Sequence, residues 1–257
     1  MGTGAVTSYI DVAQITLYVF WIFFALLVFY IRKEDRREGY PLEIDPTGQV
    51  KDKGFLLIPD PKTFLLPHGG SVSVPNDVRD TRPVKARRAG AWPGAPLIPT
   101  GDAMADGVGP AAWAERADEP DMTFDNKVKI RPISEKGGHM HVSPDDPNPV
   151  GMDVVCADRQ VAGTITDIWA DHAEMMIRYY EIKLAGSPRA RSRLVPANCV
   201  RISGGKAHVN SILSTQMAGV PTTKAADQVT LLEEDKIMGY FAGGRLYATP
   251  QRAEPML

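Results

Sequence analysis

VAQITLYVFWIFFALLVFYI, residues 12–31, is the stretch that decides the architecture of this chain. It contains no charged side chain, and only Gln14 and Thr16 are appreciably polar. At about 1.5 Å per residue, a helix of this length spans the roughly 30 Å of a bilayer's hydrocarbon core. Tyr18 and Tyr30 lie towards its two ends, where aromatic rings favour the interface. The stretch therefore predicts a transmembrane helix.

The charges around this helix predict its orientation. Residues 1–11 contain no lysine or arginine, whereas Arg32, Lys33, Arg36 and Arg37 follow the helix directly. The basic side of a span faces the cytoplasm, so we expect the N-terminus outside and the C-terminal part inside. A signal peptide is disfavoured because it needs a basic start and a small-residue cleavage site, and neither is present.

Composition restricts what the remaining residues can be. The chain has 257 residues, 44% of them hydrophobic and 23% charged, with a net charge of −2. These fractions are ordinary for a globular protein, and the weak net charge disfavours a general nucleic-acid binder. Cys156 and Cys199 have neither zinc-ligand nor disulfide-framework spacing, so we interpret them as small buried apolar residues in a reducing compartment.

Two regions follow the membrane helix. Residues 38–120 are rich in proline and glycine, which predicts short strands and extended connections packed against another surface. Residues 150–212 contain short β-prone runs between turns, which predicts a small antiparallel barrel or sandwich with a bulge at Gly163. The predicted strands are Val154–Cys156, Val161–Ile168, Met175–Leu184, Arg193–Val200 and Lys206–Ile212.

A short helix is predicted near the C-terminus. Thr230 and Glu233 have the spacing of a capping box, in which each side chain bonds the other's backbone N–H. We expect this helix to run to about Phe241 and to stop at Gly243 and Gly244, because glycine is common just past helix ends.

The sequence contains little that indicates catalysis or a bound cofactor. The chain contains no Gly-rich nucleotide loop, GxSxG or HExxH, so the sequence does not support an enzyme. His139 and His141 could share one face of a strand as a weak surface metal site. The carboxylates are interpreted mainly as a solvated face, and they include Asp118, Glu119, Asp121, Asp125, Asp145, Asp146, Asp171 and Glu174.

Several ordered blocks of sequence carry a family resemblance. They include REGYPL at 37–42, PKTFLLPHG at 61–69, PTGD at 99–102, DGVGPA at 106–111 and AGGRLYA at 242–248. With them, the chain resembles the H subunit of the photosynthetic reaction centre of purple bacteria over nearly its whole length.

The resemblance implies a fold and its boundaries. We expect a periplasmic N-terminus at 1–11, a transmembrane helix at 12–31, an extended surface segment at 32–120 and a cytoplasmic domain at 121–257. This domain would be a PRC-barrel-type antiparallel β-barrel with a short C-terminal helix. The chain would be a single-pass protein of the bacterial inner, photosynthetic membrane.

The resemblance also implies a role and partners. The family's H subunit binds no pigment itself and is not an enzyme. It caps and stabilises the L and M subunits, which hold bacteriochlorophyll, bacteriopheophytin, quinones and a non-haem iron, and it conducts protons toward the secondary quinone. Membrane lipids are expected partners and nucleic acid is not; a cytochrome subunit and a light-harvesting antenna in the same complex stay open.

The proton path implied by the resemblance runs through Asp171, Glu174, Arg178 and Glu234. Some family members carry a surface His-x-His just before the Lys-Ile-x-Pro element, where protons enter. Here both histidines are missing before Lys129, so Asp121 and Asp125 are candidates to replace them. His139, His141 and His172 are alternatives.

Two other classes of function compete. A membrane-tethered PRC-barrel adaptor unrelated to photosynthesis is compatible with the barrel but not with the N-terminal blocks. A membrane-anchored hydrolase lacks any nucleophile motif. Bacteriochlorophyll that co-purifies with the chain would separate the reaction-centre subunit from both.

Overall fold

The apolar run forms a single helix, α1 (Val12–Glu34), which is three residues longer than predicted. The extra residues, Arg32 to Glu34, are good helix formers, so the helix continues past the apolar run. At its start, the Asp11 carboxylate accepts a 2.7 Å hydrogen bond from the backbone N–H of Gln14. None of its side chains is buried, and its mean hydropathy of 2.3 suits a membrane span.

The computed structural model describes residues 4, 6–7, 11–40, 42–44, 49–50, 58–67, 69–76, 78, 80–92, 94–135, 140–186 and 190–253. They separate into two compact units, one of residues 1–80 with 92–94 and one of residues 81–91 with 95–257. The predicted boundary at residue 120 stays a prediction.

The first unit contains α1 and two short antiparallel hairpins. One hairpin pairs β1 (Glu43–Ile44) with β2 (Gln49–Val50), and the other pairs β3 (Lys62–Leu65) with β4 (Ser71–Val74). Arg37 ties the second hairpin to the end of α1, because its guanidinium donates to the carbonyls of Asp60 and Val74 and to both carboxylate oxygens of Glu34.

The second unit is built on a seven-stranded sheet. A separate hairpin of β5 (Ala86–Arg88) and β6 (Leu97–Pro99) precedes it. In the sheet the order is β11-β10-β9-β8-β13-β12, with β7 also paired to β9. Its strands are β7 (Ile130–Pro132), β8 (Asp153–Cys156), β9 (Val161–Asp171), β10 (Met176–Leu184), β11 (Arg193–Pro196), β12 (Val200–Ser203) and β13 (Lys206–Val209).

The sheet confirms most of the predicted strands and corrects the rest. β8 and β13 are parallel, whereas an antiparallel arrangement was predicted. They are joined by a long connection through four other strands, so no tight hairpin forces them antiparallel. The pairing of β8 with β9 skips Ala162, beside the predicted bulge at Gly163. β7 and β12 were not predicted, because each is a short strand with mixed polarity.

The C-terminal helix, α2 (Leu231–Tyr247), corrects a second prediction. The capping box is present, since Thr230 and Glu233 exchange side-chain to backbone hydrogen bonds of 3.1 and 2.9 Å. The helix continues through Gly243 and Gly244, however, and does not stop at them. A Cβ on Gly243 would lie 2.5 Å from Ala111 Cβ, so this glycine permits close packing inside the helix.

The core of this unit lies between the sheet and α2. It contains Trp169, Tyr179 and Ile182 from the sheet and Ile237 and Phe241 from the helix, all nearly inaccessible. Met104 joins the same cluster, and Val108 and Ala111 are also buried. The last part of the segment at 32–120 therefore packs on this chain's own core, and packing of the rest against another surface stays a prediction.

Candidate functional site

Lys129 lies at the centre of a group of three carboxylates. Its Nζ is 3.2 Å from Glu174 Oε1, 3.4 Å from Asp121 Oδ2 and 3.4 Å from Asp171 Oδ2. The side chain of Asp171 is 1% exposed, whereas that of Glu174 is 55% exposed. Three of the six predicted site residues thus meet around one lysine, with one of them buried and one open to solvent.

The sheet positions this group. Asp171 ends β9 and pairs with Ile130 of β7, so the preceding residue, Lys129, lies beside the end of β9. The backbone N–H of His172 donates to the Lys129 carbonyl at 2.9 Å. Asp171 Oδ1 accepts 2.9 Å hydrogen bonds from the N–H groups of Ala173 and Glu174, which shapes the turn into β10. The turn places the Glu174 side chain above the lysine.

Charge stabilises the ammonium group of this cluster. Burial alone would lower the pKa of Lys129, but its hydrogen bond to Glu174 and the charges of Asp171 and Asp121 outweigh it and raise that pKa. The lysine therefore stays protonated through the physiological range. It holds three acidic groups close together that would otherwise repel one another.

A second group of polar residues lies at the start of α2. The Tyr179 hydroxyl donates a 2.7 Å hydrogen bond to Glu234 Oε2, and Arg178 Nη2 is 3.6 Å from the same oxygen. Burial raises the pKa of Glu234, although Tyr179 and Arg178 both act to lower it. Burial also raises the pKa of Tyr179, as does the nearby Glu234 carboxylate. Glu234 can thus hold a proton at higher pH than an exposed glutamate.

Asp121 connects the two groups electrostatically. Its charge is among the influences that raise the pKa of Glu234. The adjacent Pro120 pairs with Thr230, the N-cap of α2, in an isolated β-bridge. The Lys129 cluster and the Glu234 group are therefore adjacent, and the charge of Asp121 acts on Glu234.

The remaining predicted residues have separate positions. Arg178 pairs with Glu234, whereas Glu174 pairs with Lys129, because Glu174 lies in the turn while Arg178 lies on β10. Asp125 is exposed in the turn around Asn126. His141 is exposed, and His139 lies outside the described residues.

The structure bears on the predicted surface metal site and on His172, one of the alternative proton-entry residues. In the described part of the chain, no group of three or more histidine, cysteine or acidic side chains is placed to hold a metal ion. His172 lies beside the Lys129 cluster. Burial and the Arg131 charge lower the pKa of His172, and its Nε2 atom is buried without a hydrogen-bond partner among the described residues. His172 is therefore mostly neutral near pH 7.

Two central residues were missed from sequence. Lys129 stands in the Lys-Ile-x-Pro element but is not predicted as a site residue, because its place in the site depends on the short strand β7, which the sequence does not predict. Tyr179 is one of two adjacent tyrosines on a predicted strand, and alternation alone does not decide which of them faces the core. Asp171 lies 42 residues from Lys129 along the chain, and Glu234 lies 55 residues from Tyr179, so only the fold reveals these contacts.

The fold and the site together define a class, namely a single-pass membrane protein whose main domain is a small β-sheet unit carrying a polar, partly buried site. Comparison with known families is more specific. Residues 4–135 match the model of the photosynthetic reaction centre H-chain N-terminal region, and residues 145–216 match the PRC-barrel domain. The first match spans 132 of the 257 residues, and the chain belongs to the H-chain family.

Membership confirms the resemblance and the predicted fold, with the helix, the mainly β domain of PRC-barrel type and the short C-terminal helix. The chain is a subunit of a photosynthetic reaction centre and works in a complex with other subunits. The family as a whole is non-enzymatic. With its one apolar helix, the chain is a single-pass membrane protein.

Proposed function

We propose that this chain covers the cytoplasmic face of the L and M subunits and carries protons toward the secondary quinone. The N-terminal residues would face the periplasm, and the domain after α1 would lie in the cytoplasm beside the bacterial inner membrane. The basic residues that follow α1 support this orientation. The quinone, held by the partner subunits, takes up two electrons and two protons to become quinol.

The Lys129 cluster is the observation that carries the proposal. A side chain that passes protons inward has to exchange them with water on one side and with a buried group on the other. Glu174 and Asp171 flank the same ammonium group, and the first is exposed while the second is buried. An exposed and a buried carboxylate beside one shared group give a proton a short route between solvent and the interior.

The Glu234 group supports an inner extension of this path. Glu234 is buried and its pKa is raised, so it keeps its proton closer to neutral pH than a solvated glutamate does. Tyr179 and Arg178 orient its carboxylate. We assign Glu234 the role of a proton-holding group and Arg178 and Tyr179 the role of positioning residues.

An apolar surface beside the cluster supports the covering role. Met175, Met176 and Ile177 follow Glu174 at the β9–β10 turn, and their exposed fractions are 70%, 46% and 42%. Adjacent exposed apolar side chains are typical of a surface that contacts another protein. In the proposed complex this turn faces the L and M subunits, so that Glu174 and its cluster lie next to the partner's quinone region.

Replacement of Glu174 by glutamine in the assembled complex tests the proposal. The amide keeps the shape but cannot take up a proton, so we expect the proton-coupled second electron transfer to the secondary quinone to slow by about tenfold or more. Primary charge separation should be unchanged. Flash-induced absorption changes across pH measure both steps.

Glu135→Gln is the matched control, because Glu135 is also partly exposed and paired, with Arg131 at 2.7 Å, but lies outside the cluster. Its second electron transfer should keep the wild-type rate. Wild-type rates at every pH in the assembled Glu174→Gln complex would remove Glu174 from the path. A native complex purified through this chain whose near-infrared spectrum shows no bacteriochlorophyll would instead favour the adaptor alternative.

A further inference from the structure

A polar cavity of about 430 Å³ lies away from the Lys129 cluster and the Glu234 group. It is formed by β12, β13, the residues that follow β13 and the end of α2. Its lining contains basic side chains but, among the described residues, no aspartate or glutamate. The basic residues are Arg201, His208, Arg245 and Arg252.

The fold brings these residues together from separate elements. Arg201 on β12 lies directly opposite His208 on β13, so their side chains share one face of the sheet. Arg245 belongs to the last turn of α2, and Arg252 belongs to the short 3-10 helix Pro250–Arg252 that follows. Positive charge from three elements therefore converges on one cavity.

Arg252 is fixed in place before any ligand binds. Its guanidinium donates hydrogen bonds to the carbonyls of Ser211 at 2.7 Å, Gly244 at 2.8 Å and Asn210 at 2.9 Å. The Gly244 carbonyl, which also accepts from the Ala248 N–H, lies near the C-terminal end of α2, where a cation is favourable. Carbonyl groups carry no net charge, so the cavity keeps the full positive charge of this guanidinium.

Three other side chains that line the cavity are available to bind a ligand. Within the part of the chain that the structure describes, Arg201 and Arg245 take part in no ion pair. Ser211 lines the cavity and is 6% exposed, and its Oγ is buried with no hydrogen-bond partner among the described atoms. A buried hydroxyl without a partner is unfavourable, so an acceptor at this position would be stabilising.

We infer that this cavity is a binding site for a phosphate group, supplied either by inorganic phosphate or by a phospholipid headgroup. The planar guanidinium groups of Arg201 and Arg245 match the geometry of phosphate oxygens, and the Ser211 hydroxyl can donate to a further oxygen. Because the described lining contains no carboxylate, no internal anion competes with phosphate for these arginines. The inference does not depend on the proton-transfer role, since none of these residues belongs to the carboxylate site.

Isothermal titration of the full-length chain in a non-ionic detergent tests the inference. The two titrants are inorganic phosphate and dihexanoylphosphatidylglycerol, a short-chain phospholipid. We expect saturable 1:1 binding of at least one, weakened about tenfold or more in the Arg201→Gln, Arg245→Gln double variant and also weakened in Ser211→Ala. Arg201 and Arg245 are exposed, so the double variant should fold normally.

A double variant, Lys183→Gln with Lys206→Gln, is the matched control. It removes the same charge from exposed strand positions outside the cavity, and its binding should equal that of the wild type. Binding of phosphate alone would assign the site to the free ion, and binding of the phospholipid alone would assign it to a headgroup. Absence of saturable binding by both titrants, or equal weakening in the control, would overturn the inference.

Discussion

The Tyr179 hydroxyl donates a 2.7 Å hydrogen bond to Glu234 Oε2, and this pair joins the middle of the sheet to the first turn of α2. Tyr179 is 2% exposed and Glu234 is 8% exposed, so water is largely excluded from the bond. A buried acceptor that loses its donor retains the desolvation penalty. The bond therefore matters for the packing of the helix as well as for the acidity of the glutamate.

Tyr179→Phe should destabilise the protein by about 1–3 kcal/mol, because it removes the donor and leaves the buried carboxylate less well satisfied. Tyr180→Phe is the matched control, since the neighbouring hydroxyl makes no hydrogen bond to the described residues and its loss should change stability by less than about 0.5 kcal/mol. Chemical unfolding of the full-length chain in detergent measures both. Equal effects would show that the bond to Glu234 is not stabilising.

Glu234→Gln should alter the pH dependence of stability. The pKa of Glu234 is raised in the folded protein, so between its unfolded and folded pKa values the folded state binds the extra proton. Wild-type stability is therefore highest below the unfolded pKa, about 4.3, and falls as the pH rises through the folded pKa. Glutamine does not titrate. The melting temperature of the variant relative to wild type should thus rise as the pH increases from the unfolded pKa through the folded pKa.

Glu115→Gln, at an exposed position, is the control for this pH series, and its difference from wild type should stay nearly constant. If the Glu234→Gln difference instead decreased with rising pH, the ionised carboxylate paired with Arg178 would be the favoured folded form. That result would contradict the raised pKa.

Lys129→Met should destabilise the protein by about 3 kcal/mol near neutral pH. Three carboxylates would then face one another without their shared cation, and Asp171 among them is buried. Acidification should restore part of the loss, because protonation relieves the repulsion. Lys127→Met, at an exposed position two residues away, should have little effect in the same thermal unfolding measurements. A Lys129→Met variant as stable as wild type would show that the lysine does not hold the cluster together.

Gly243→Ala should destabilise the protein by about 1–3 kcal/mol, although alanine is the better helix former by about 1 kcal/mol. The new Cβ would lie 2.5 Å from Ala111 Cβ and 3.1 Å from Ala111 Cα, and backbone cannot move away cheaply. The double variant with Ala111→Gly should recover part of the loss. Ala242→Gly, at an exposed position of the same helix, reports the propensity effect alone. Stabilisation by Gly243→Ala would show that the helix can move away from Ala111.

Local sequence signals predicted α1, the capping box of α2 and most of the strands. Each of these depends on residues that are close in the chain, such as an uninterrupted apolar run or the spacing of Thr230 and Glu233. The course of α2 through Gly243 and Gly244 was not predictable in this way. A glycine can mark the end of a helix or permit a close contact within one. Only the position of Ala111 shows that Gly243 permits a close contact.

The candidate site was only partly predictable for a similar reason. The resemblance supplied Asp171, Glu174, Arg178 and Glu234, and the structure brings them into two adjoining groups. The identity of the ion partners depends on the β7–β9 pairing, which sets Lys129 beside Asp171. A three-residue strand such as β7 has too weak a pattern to be recognised from sequence, so the central lysine was missed.

The position of α2 has a consequence for the biosynthesis of the chain. Ribosomes make about 200 residues between the end of α1 and the start of α2, which takes roughly 10–40 s at 5–20 residues per second. By the end of that interval the strands of the sheet have been made, but Ile237 and Phe241, which complete their apolar face, have not. The nascent domain therefore stays unfinished beside the membrane while α1 is ready to insert, and it becomes competent for assembly only after α2 emerges.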